Sequence, residues 1–244
     1  MSRSRSWTGR SFHFTTAVVD RLPIPLTLIV NNGAVVKQRD GTTELSHVLD
    51  RDAARHILDE TRHLEDSVAI VFDRRDERQI VFDRMDWSHP NRRGYYEKNK
   101  AFIAEAPSPL RDMLTEDPIQ IMFNGSVEPM RTLVASLRAM SIADRFAVAI
   151  TEYEPRDFSL VDVNGASCSK GTTLAAWAQR RGFTPADVAA FGDNLNDVEM
   201  LDYAGTAYIM GNAVDALKAR GYRLAASNDE GGLAPAIRAC LANP

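Results

Sequence analysis

Cysteine is scarce in this sequence, since Cys168 and Cys240 are the only two among 244 residues. Their positions show no paired spacing, so the sequence predicts neither a disulfide framework nor a thiolate metal site. The five histidines also lack the two-ligand helical spacing of zinc hydrolases, which favours scattered surface histidines. Chemistry based on a thiol or on a histidine-bound zinc ion is therefore not expected.

Long apolar runs and an excess of one charge are also missing. No run approaches the roughly 18–20 apolar residues that cross a bilayer, and the start MSRSRSW lacks the apolar segment of a secretory signal. We therefore expect a cytoplasmic protein without a membrane partner. The net charge is -4, from 29 basic and 33 acidic residues, so no strong field favours nucleic acid. An anionic substrate must then be bound by local groups.

Apolar residues are present in the amount that a folded core requires. They make up 44% of the chain against 25% charged residues, which is typical of one large or two medium globular domains. Near the start, the apolar run LTLIV predicts a buried strand. The next residues, NNGAVVK, predict a hairpin because Asn32 and Gly33 tolerate the positive φ angles of a tight turn.

The middle of the chain predicts a separate α+β segment. A helix opened by Asp50 or Asp52 precedes two strands, SVAIVFD and RQIVFD, and a second helix is predicted over RGYYEKNKAFIAEA, up to Pro107. Basic and aromatic residues around Arg92 and Arg93 fit either a contact to a sugar phosphate or a solvated helix face. After Gly165, helices and strands alternate to the end, which predicts a parallel sheet with covered faces.

The stretch AAFGDNLNDVEML, residues 189–201, ends one of these parallel strands with several polar residues. Ligand sites collect at such strand ends, and Asp193 follows the strand directly. A hard oxygen ligand of this kind suits Mg²⁺. Asn196 and Asp197 then fall on a first helical turn, where acidic side chains also serve as caps. The local pattern is therefore compatible both with a metal site and with a simple capping cluster.

Two further segments favour binding of a phosphate. In SCSKGTTLAAW, Lys170 stands at the start of a helix, where its charge opposes the helix dipole unless a negative group lies nearby. In WTGRSFHF, Thr8, Gly9 and Arg10 precede a helical segment and have the donors of an oxyanion pocket. Together with the carboxylates after residue 192, these groups predict a phosphoryl-transfer site.

The motifs TGR, NNGAVV, SKG, FGDNLNDVEML, AYIMGNA and SNDEGGLAPAI follow one another over nearly the whole chain. In this order and spacing they resemble the Cof-type branch of the haloacid dehalogenase superfamily of phosphatases. The resemblance implies an α/β fold, with a Rossmann-like core of parallel strands and an inserted α+β cap. It places the core in residues 1–49 and 161–244 and the cap, which selects the substrate, in residues 50–160.

The resemblance also implies a role for each matching residue in Mg²⁺-dependent hydrolysis through an aspartyl-phosphate. Thr8 would hydrogen-bond the transferred phosphoryl group, and Lys170 would neutralise its charge. Asp193 would bind Mg²⁺, while Asn196 and Asp197 would orient Lys170, the metal-bound waters and the phosphate. The expected substrate is a small phosphorylated metabolite such as a sugar phosphate. Gly9 and Arg10 of the TGR motif would contact it, and Asn32 and Gly33 would either line the same pocket or form only the hairpin turn.

The nucleophile of the family is the first aspartate of an Asp-x-Asp-Gly-Thr motif that ends the first core strand. This motif does not occur in the sequence, and Thr8 stands too near the start for that strand to precede it, so the N-terminal core strands are expected to be missing. The similar stretch Asp40-Gly41-Thr42 has Gln38 in the position of the nucleophile and is expected to form a hairpin turn.

Three functions remain compatible with this sequence. The first is a Mg²⁺-dependent phosphatase whose nucleophile lies in a segment outside the given sequence. The second is a protein without catalytic activity that binds a phosphorylated metabolite. The third is a phosphotransferase or sugar phosphomutase with the same site.

Overall fold

A computed structural model describes residues 6–7, 11–24, 26–74, 78–107 and 109–242 of the chain. Three of the predicted site residues, Thr8, Gly9 and Arg10, lie outside the described residues. The chain divides into two compact units, Met1–Cys168 and Ser169–Pro244. The expected limits of core and cap remain predictions. No helix in the described part of the chain combines the length and apolar character that crossing a membrane requires.

Four strands and one helix open the first unit: β1 (Ser6–Trp7), α1 (Phe12–Val19), β2 (Thr27–Val30), β3 (Val35–Gln38) and β4 (Thr43–Ser46). The strands form one sheet in this order, with β1 parallel to β2 and the later pairs antiparallel. The predicted hairpin is confirmed, because Asn32 and Gly33 lie in the connection from β2 to β3 with φ angles of 55° and 103°.

The stretch Asp40-Gly41-Thr42 is a hairpin turn, as predicted. It connects β3 to β4, and Gly41 has a φ of 85°. The backbone N–H of Thr42 donates to Asp40 Oδ1 at 2.8 Å, while Gln38 N–H donates to Thr42 O at 2.8 Å. Asp40 therefore stabilises its own turn.

The rest of the first unit is an α+β segment built on a six-stranded sheet with the strand order β7-β6-β5-β8-β10-β9. Only β6 and β7 are parallel neighbours. Its elements are α2 (Arg51–Glu60), β5 (Val68–Val71), β6 (Ile80–Phe82), α3 (Pro90–Asn99), β7 (Ile103–Glu105), β8 (Gln120–Gly125), α4 (Val127–Arg138), β9 (Phe146–Tyr153) and β10 (Phe158–Gly165).

The two faces of the six-stranded sheet contribute to different cores. One face packs with apolar side chains of α2 and α4, among them Ile57 and Leu137, which are fully buried. The other face packs with α1 and with β2 and β3, whose Leu28 and Val35 are also fully buried. The first helix of the segment is capped by Asp50, whose side chain accepts from Ala53 N–H at 2.9 Å.

The helix predicted over residues 93–106 is wrong in its second half. Helix α3 ends at Asn99, and Ile103–Glu105 forms strand β7, which pairs in parallel with β6. Alanine and glutamate favour helix locally, but pairing of Ile103 with Ile80 decides the conformation. Within α3, Arg93 is exposed, whereas Arg92 donates to the side chain and the backbone of Asn124.

The second unit shows the predicted alternation of helices and parallel strands. Its strands form a parallel three-stranded sheet in the order β11-β12-β13. The α/β fold class is therefore confirmed. The elements are α5 (Lys170–Arg180), β11 (Ala189–Gly192), α6 (Val198–Tyr203), β12 (Thr206–Ile209), α7 (Asp215–Lys218), β13 (Arg223–Leu224) and α8 (Leu233–Ala242).

Candidate active site

The candidate site lies where β11 ends and the chain turns into α6. Gly192 is the last residue of the strand, and a Cβ atom there would lie 2.6 Å from the Cβ of Asp197. Real Cβ atoms do not approach so closely, so the turn requires glycine at this position. A 3₁₀ turn over Leu195–Asp197 follows and places Asp197 back against the strand end.

Asp197 is the centre of this turn, because its carboxylate binds three donors. Oδ2 accepts from the backbone N–H groups of Asp193 at 3.0 Å and Asn194 at 3.2 Å. Oδ1 accepts from Lys170 Nζ at 2.7 Å. Both side chains of this ion pair are buried. The predicted need of Lys170 for a nearby negative group is thereby met, and Asp197 also fixes the backbone of Asp193.

Lys170 reaches Asp197 because helices α5 and α6 approach closely. A Cβ on Gly171 would lie 2.5 Å from Glu199 Cβ, so glycine permits the contact. The start of α5 is held by a capping box in which Ser169 and Thr172 bind each other's backbone N–H groups. Ser169 Oγ also donates to Glu199 Oε2. The helix start is thus fixed in place, and with it the stem of Lys170.

Asp193 points out of the strand end and is exposed, unlike Asp197. Desolvation by the surrounding loops raises the pKa of Asp193 although the residue is open to solvent, and the negative charge of Asp197 adds to this shift. The charge of Lys170 and a hydrogen bond from Asn212 lower the pKa in turn. Asn212 Nδ2 donates to Asp193 Oδ2 at 3.3 Å.

Two asparagines at this site were not predicted from the sequence. Asn212 follows β12, and its Oδ1 accepts the backbone N–H of Asn228, which follows β13, at 2.9 Å. The loops after three neighbouring parallel strands therefore meet side by side, as strand ends in such sheets do. The signal for Asn212 was its place in the motif AYIMGNA, just after the apolar run TAYIM, whereas no strand was predicted ahead of Asn228 in SNDEGG.

The donor groups at the strand end fit a Mg²⁺ ion for which the protein supplies only a few of the ligands. Asp197 is occupied by Lys170 and two N–H groups, which leaves Asp193 as the exposed carboxylate. Within the described ranges, no three His, Cys, Asp or Glu side chains gather as a metal site. Mg²⁺ commonly binds one or two carboxylates and takes its other ligands from water and phosphate.

The remaining predicted site residues occupy different places. Asn196 is half-buried in the 3₁₀ turn beside Asp197. Asn32 and Gly33 belong to the first unit, where both are buried and Asn32 Nδ2 donates to Asp162 Oδ2 at 2.6 Å. Their contact to a substrate stays a prediction.

The sequence also matches known proteins. The family model of the haloacid dehalogenase-like hydrolases matches residues 7–237. Pyridoxal phosphate phosphatase YbhA of Escherichia coli (strain K12) is 50% identical over 60 residues, which cover 25% of this chain and 22% of YbhA. The HMP-PP phosphatase of Klebsiella pneumoniae (strain 342) is 28% identical over 215 residues, or 87% of this chain and 72% of that protein.

A solved structure shows the same fold over nearly the whole chain. SMU.1108c from Streptococcus mutans UA159 superposes with a TM-score of 0.79 at 21% identity, covering 99% of this chain and 86% of that one. The fold of this chain is therefore the α/β fold of that protein. The chain belongs to the haloacid dehalogenase-like hydrolases, and within them to the Cof-type branch.

Proposed function

We propose that the protein hydrolyses phosphate monoesters of small metabolites with the help of Mg²⁺. The observation that supports this most is the buried pair of Lys170 and Asp197 beside the exposed carboxylate of Asp193. In phosphoryl transfer, charge is spread over the phosphate oxygens, so catalysis depends on positioned positive charge. A lysine held at a fixed place and one hard oxygen ligand meet this requirement.

Each residue has a proposed role in binding the phosphate. Lys170 neutralises the charge on the phosphoryl oxygens, and Asp197 holds the lysine in place. Asp193 binds Mg²⁺, which when bound polarises the phosphate and shields its charge. Asn196 orients the metal-bound waters and the phosphate, while Thr8 hydrogen-bonds the transferred group. Gly9, Arg10, Asn32 and Gly33 contact the substrate.

The reaction also requires a carboxylate nucleophile. A carboxylate oxygen attacks phosphorus while the ester P–O bond breaks and the leaving alcohol takes a proton. Water then hydrolyses the acyl phosphate, which releases inorganic phosphate and restores the carboxylate. The 244 residues contain no Asp-x-Asp-Gly-Thr motif, and Gln38 in the similar stretch cannot form an acyl phosphate. Turnover is therefore proposed for a form in which this motif precedes Thr8.

The test compares the 244-residue chain with a form extended by an Asp-x-Asp-Gly-Thr strand ahead of Thr8. We expect the extended form to release p-nitrophenol from p-nitrophenyl phosphate when Mg²⁺ is present. Addition of EDTA should stop this release. Asp193→Asn in that form should abolish the Mg²⁺ response, whereas the exposed Asp215→Asn should not change it. An extended form that folds but shows no turnover would overturn the assignment of these residues.

Binding of a phosphorylated metabolite without turnover is the second candidate, and the missing nucleophile motif favours it. It predicts that the 244-residue chain binds inorganic phosphate in calorimetry and that the extended form gains no activity.

The names of the two relatives guide the choice of substrates for testing hydrolysis. They suggest pyridoxal phosphate and HMP-PP, and the substrate class expected from the family resemblance adds a set of sugar phosphates to the compounds to assay first with the extended form.

A further inference from the structure

The turn of Asn31, Asn32 and Gly33 has an unusual backbone. All three residues have positive φ angles, 51°, 55° and 103°, and all three are buried. Residues other than glycine rarely adopt this left-handed conformation, although asparagine tolerates it better than most. Such conformations persist where the surrounding structure holds them, and they cluster at ligand-binding sites.

The six-stranded sheet presents buried polar side chains to this turn. Ala69 and Val71 of β5 form an apolar part of that sheet face. On neighbouring strands, Gln120 is paired with Val71, and Asp162 lies opposite Met122, which is paired with Ala69. Residues paired directly across strands share a face. Polar residues therefore interrupt a face that packs against apolar side chains.

These polar side chains bind the turn directly. Asn31 Nδ2 donates to Gln120 Oε1 at 2.8 Å, and Asn32 Nδ2 donates to Asp162 Oδ2 at 2.6 Å. Asn164 Nδ2 donates to Ile119 O at 2.9 Å and more weakly to Asn31 O at 3.4 Å. Gln120 is 1% exposed and Asp162 3%. The side chains of both asparagines in the turn are thus fixed by the sheet.

Gln120 is retained here at a cost in stability. Its Oε1 faces Asn31, and its Nε2 is buried with no hydrogen-bond partner among the described residues. An unpaired buried donor is destabilising, so the amide makes the hydrogen bond to Asn31 while its other end stays without a partner. The Gln120 amide is therefore oriented to bind the turn, although its Nε2 destabilises the core.

We propose that Asp162 and Gln120 are positioning residues, which hold the Asn31–Asn32–Gly33 turn in its left-handed conformation for contact with the substrate. This inference rests on the proposed function, in which Asn32 and Gly33 contact the phosphorylated metabolite. Loss of Asp162 removes one hydrogen bond to the Asn32 side chain, so the turn leaves its left-handed conformation more readily. The result is weaker substrate binding, while Lys170 and Asp193 keep their own contacts within the second unit.

The first experiment measures backbone hydrogen exchange of residues 27–38 in the 244-residue chain. Asp162→Leu removes the acceptor for Asn32, so we expect exchange of this segment to become about tenfold faster. Asp162→Asn keeps an acceptor oxygen in the same place and should restore slow exchange. Val163→Ala is the matched control, because Val163 is fully buried on the opposite face of the same strand.

Gln120→Leu distinguishes positioning from ordinary packing. It removes the unpaired Nε2 but also the acceptor of the buried Asn31 Nδ2, so its two effects on the melting temperature oppose each other, while the turn loses a contact and exchanges faster. Faster exchange of residues 27–38 at a nearly unchanged melting temperature indicates positioning, whereas a packing role alone would lower the melting temperature as well. If the exchange of residues 27–38 in Asp162→Leu and Gln120→Leu equals that of the wild type, the proposal is wrong.

The second experiment measures the dissociation constants of p-nitrophenyl phosphate and inorganic phosphate by calorimetry with Mg²⁺. Asp162→Leu is expected to weaken binding of p-nitrophenyl phosphate about tenfold, and Asp162→Asn should recover it. Faster exchange with unchanged affinity would refute the link to the substrate. Binding of neither compound by the wild type would refute phosphate binding by the 244-residue chain, while the exchange data still decide whether Asp162 and Gln120 hold the turn and turnover of the extended form decides the proposed hydrolysis.

Discussion

Lys170 Nζ lies 2.7 Å from Asp197 Oδ1, and the two side chains are only 7% and 8% exposed. The same carboxylate accepts the backbone N–H groups of Asp193 and Asn194. One buried group thus determines both the place of a positive charge and the course of the backbone at the exposed Asp193. A change in either partner of the pair should therefore affect stability and phosphate binding together.

Replacing Lys170 by methionine is expected to destabilise the protein strongly. Asp197 would keep its two N–H donors but remain a buried charge without its cation, which typically costs about 3–5 kcal/mol. Urea unfolding followed by circular dichroism measures this loss. Lys218→Met is the matched control, since Lys218 pairs with Asp215 at the surface and should cost less than about 1 kcal/mol. Equal losses in the two variants would contradict the buried character of the Lys170 pair.

Replacing Gly192 by alanine should disturb the site through a steric clash. The new Cβ would lie 2.6 Å from Asp197 Cβ, so the 3₁₀ turn must shift and the Lys170 contact must weaken. We expect a lower melting temperature and weaker binding of inorganic phosphate in calorimetry. Gly94→Ala lies in α3 with no atom within 4 Å of the new Cβ and should stabilise by about 0.5–1 kcal/mol. An unchanged melting temperature in Gly192→Ala would show that the turn tolerates a side chain.

Local sequence rules predicted those parts of the molecule that neighbouring residues determine. The hairpin at Asn32 and Gly33 follows from the backbone freedom of these residue types, and the alternation after Gly165 follows from hydrophobic periodicity. The prediction that Lys170 at a helix start requires a negative partner is confirmed by Asp197. A positive charge at a helix start opposes the helix dipole, and this local feature predicts a negative partner elsewhere in the chain.

The features that were not predicted from the sequence depend on contacts between residues far apart in the chain. Ile103–Glu105 has residues that favour helix, and only its pairing with β6 makes it a strand. Asn212 acquires its contact to Asp193 because two strand-end loops lie side by side. Gln120 lies in an apolar run, so its contact to Asn31 appears only once the strand register is known.

Arg92 should be far more important for stability than its neighbour Arg93. The Arg92 side chain is 9% exposed, donates to Asn124 Oδ1 at 2.5 Å and to Asn124 O at 2.8 Å, and pairs with Asp86. Arg92→Ala removes the donors to Asn124 Oδ1 and Asn124 O and should cost about 1–3 kcal/mol in urea unfolding. Arg93→Ala, on the exposed side of α3, is expected to stay within about 0.5 kcal/mol. A similar cost for both would indicate that Arg92 lies on a solvated helix face.

Asp157 is expected to make the stability of the protein sensitive to acid. Its Oδ1 accepts the Val127 N–H at the start of α4, at 3.0 Å, and this hydrogen bond together with one from Ser126 lowers the pKa of Asp157 below its usual value of 3.8. A lowered pKa means that the folded state favours the ionised carboxylate. The stabilising contribution is therefore complete above the usual pKa and is lost as the pH falls through the lowered one.

Asp157→Asn has no titrating group here, so its melting temperature should fall less than that of the wild type between about pH 5 and pH 2. The exposed Asp144→Asn is the control and should follow the wild-type curve. If Asp157→Asn loses stability on acidification as steeply as the wild type, the carboxylate of Asp157 does not contribute to holding the start of α4.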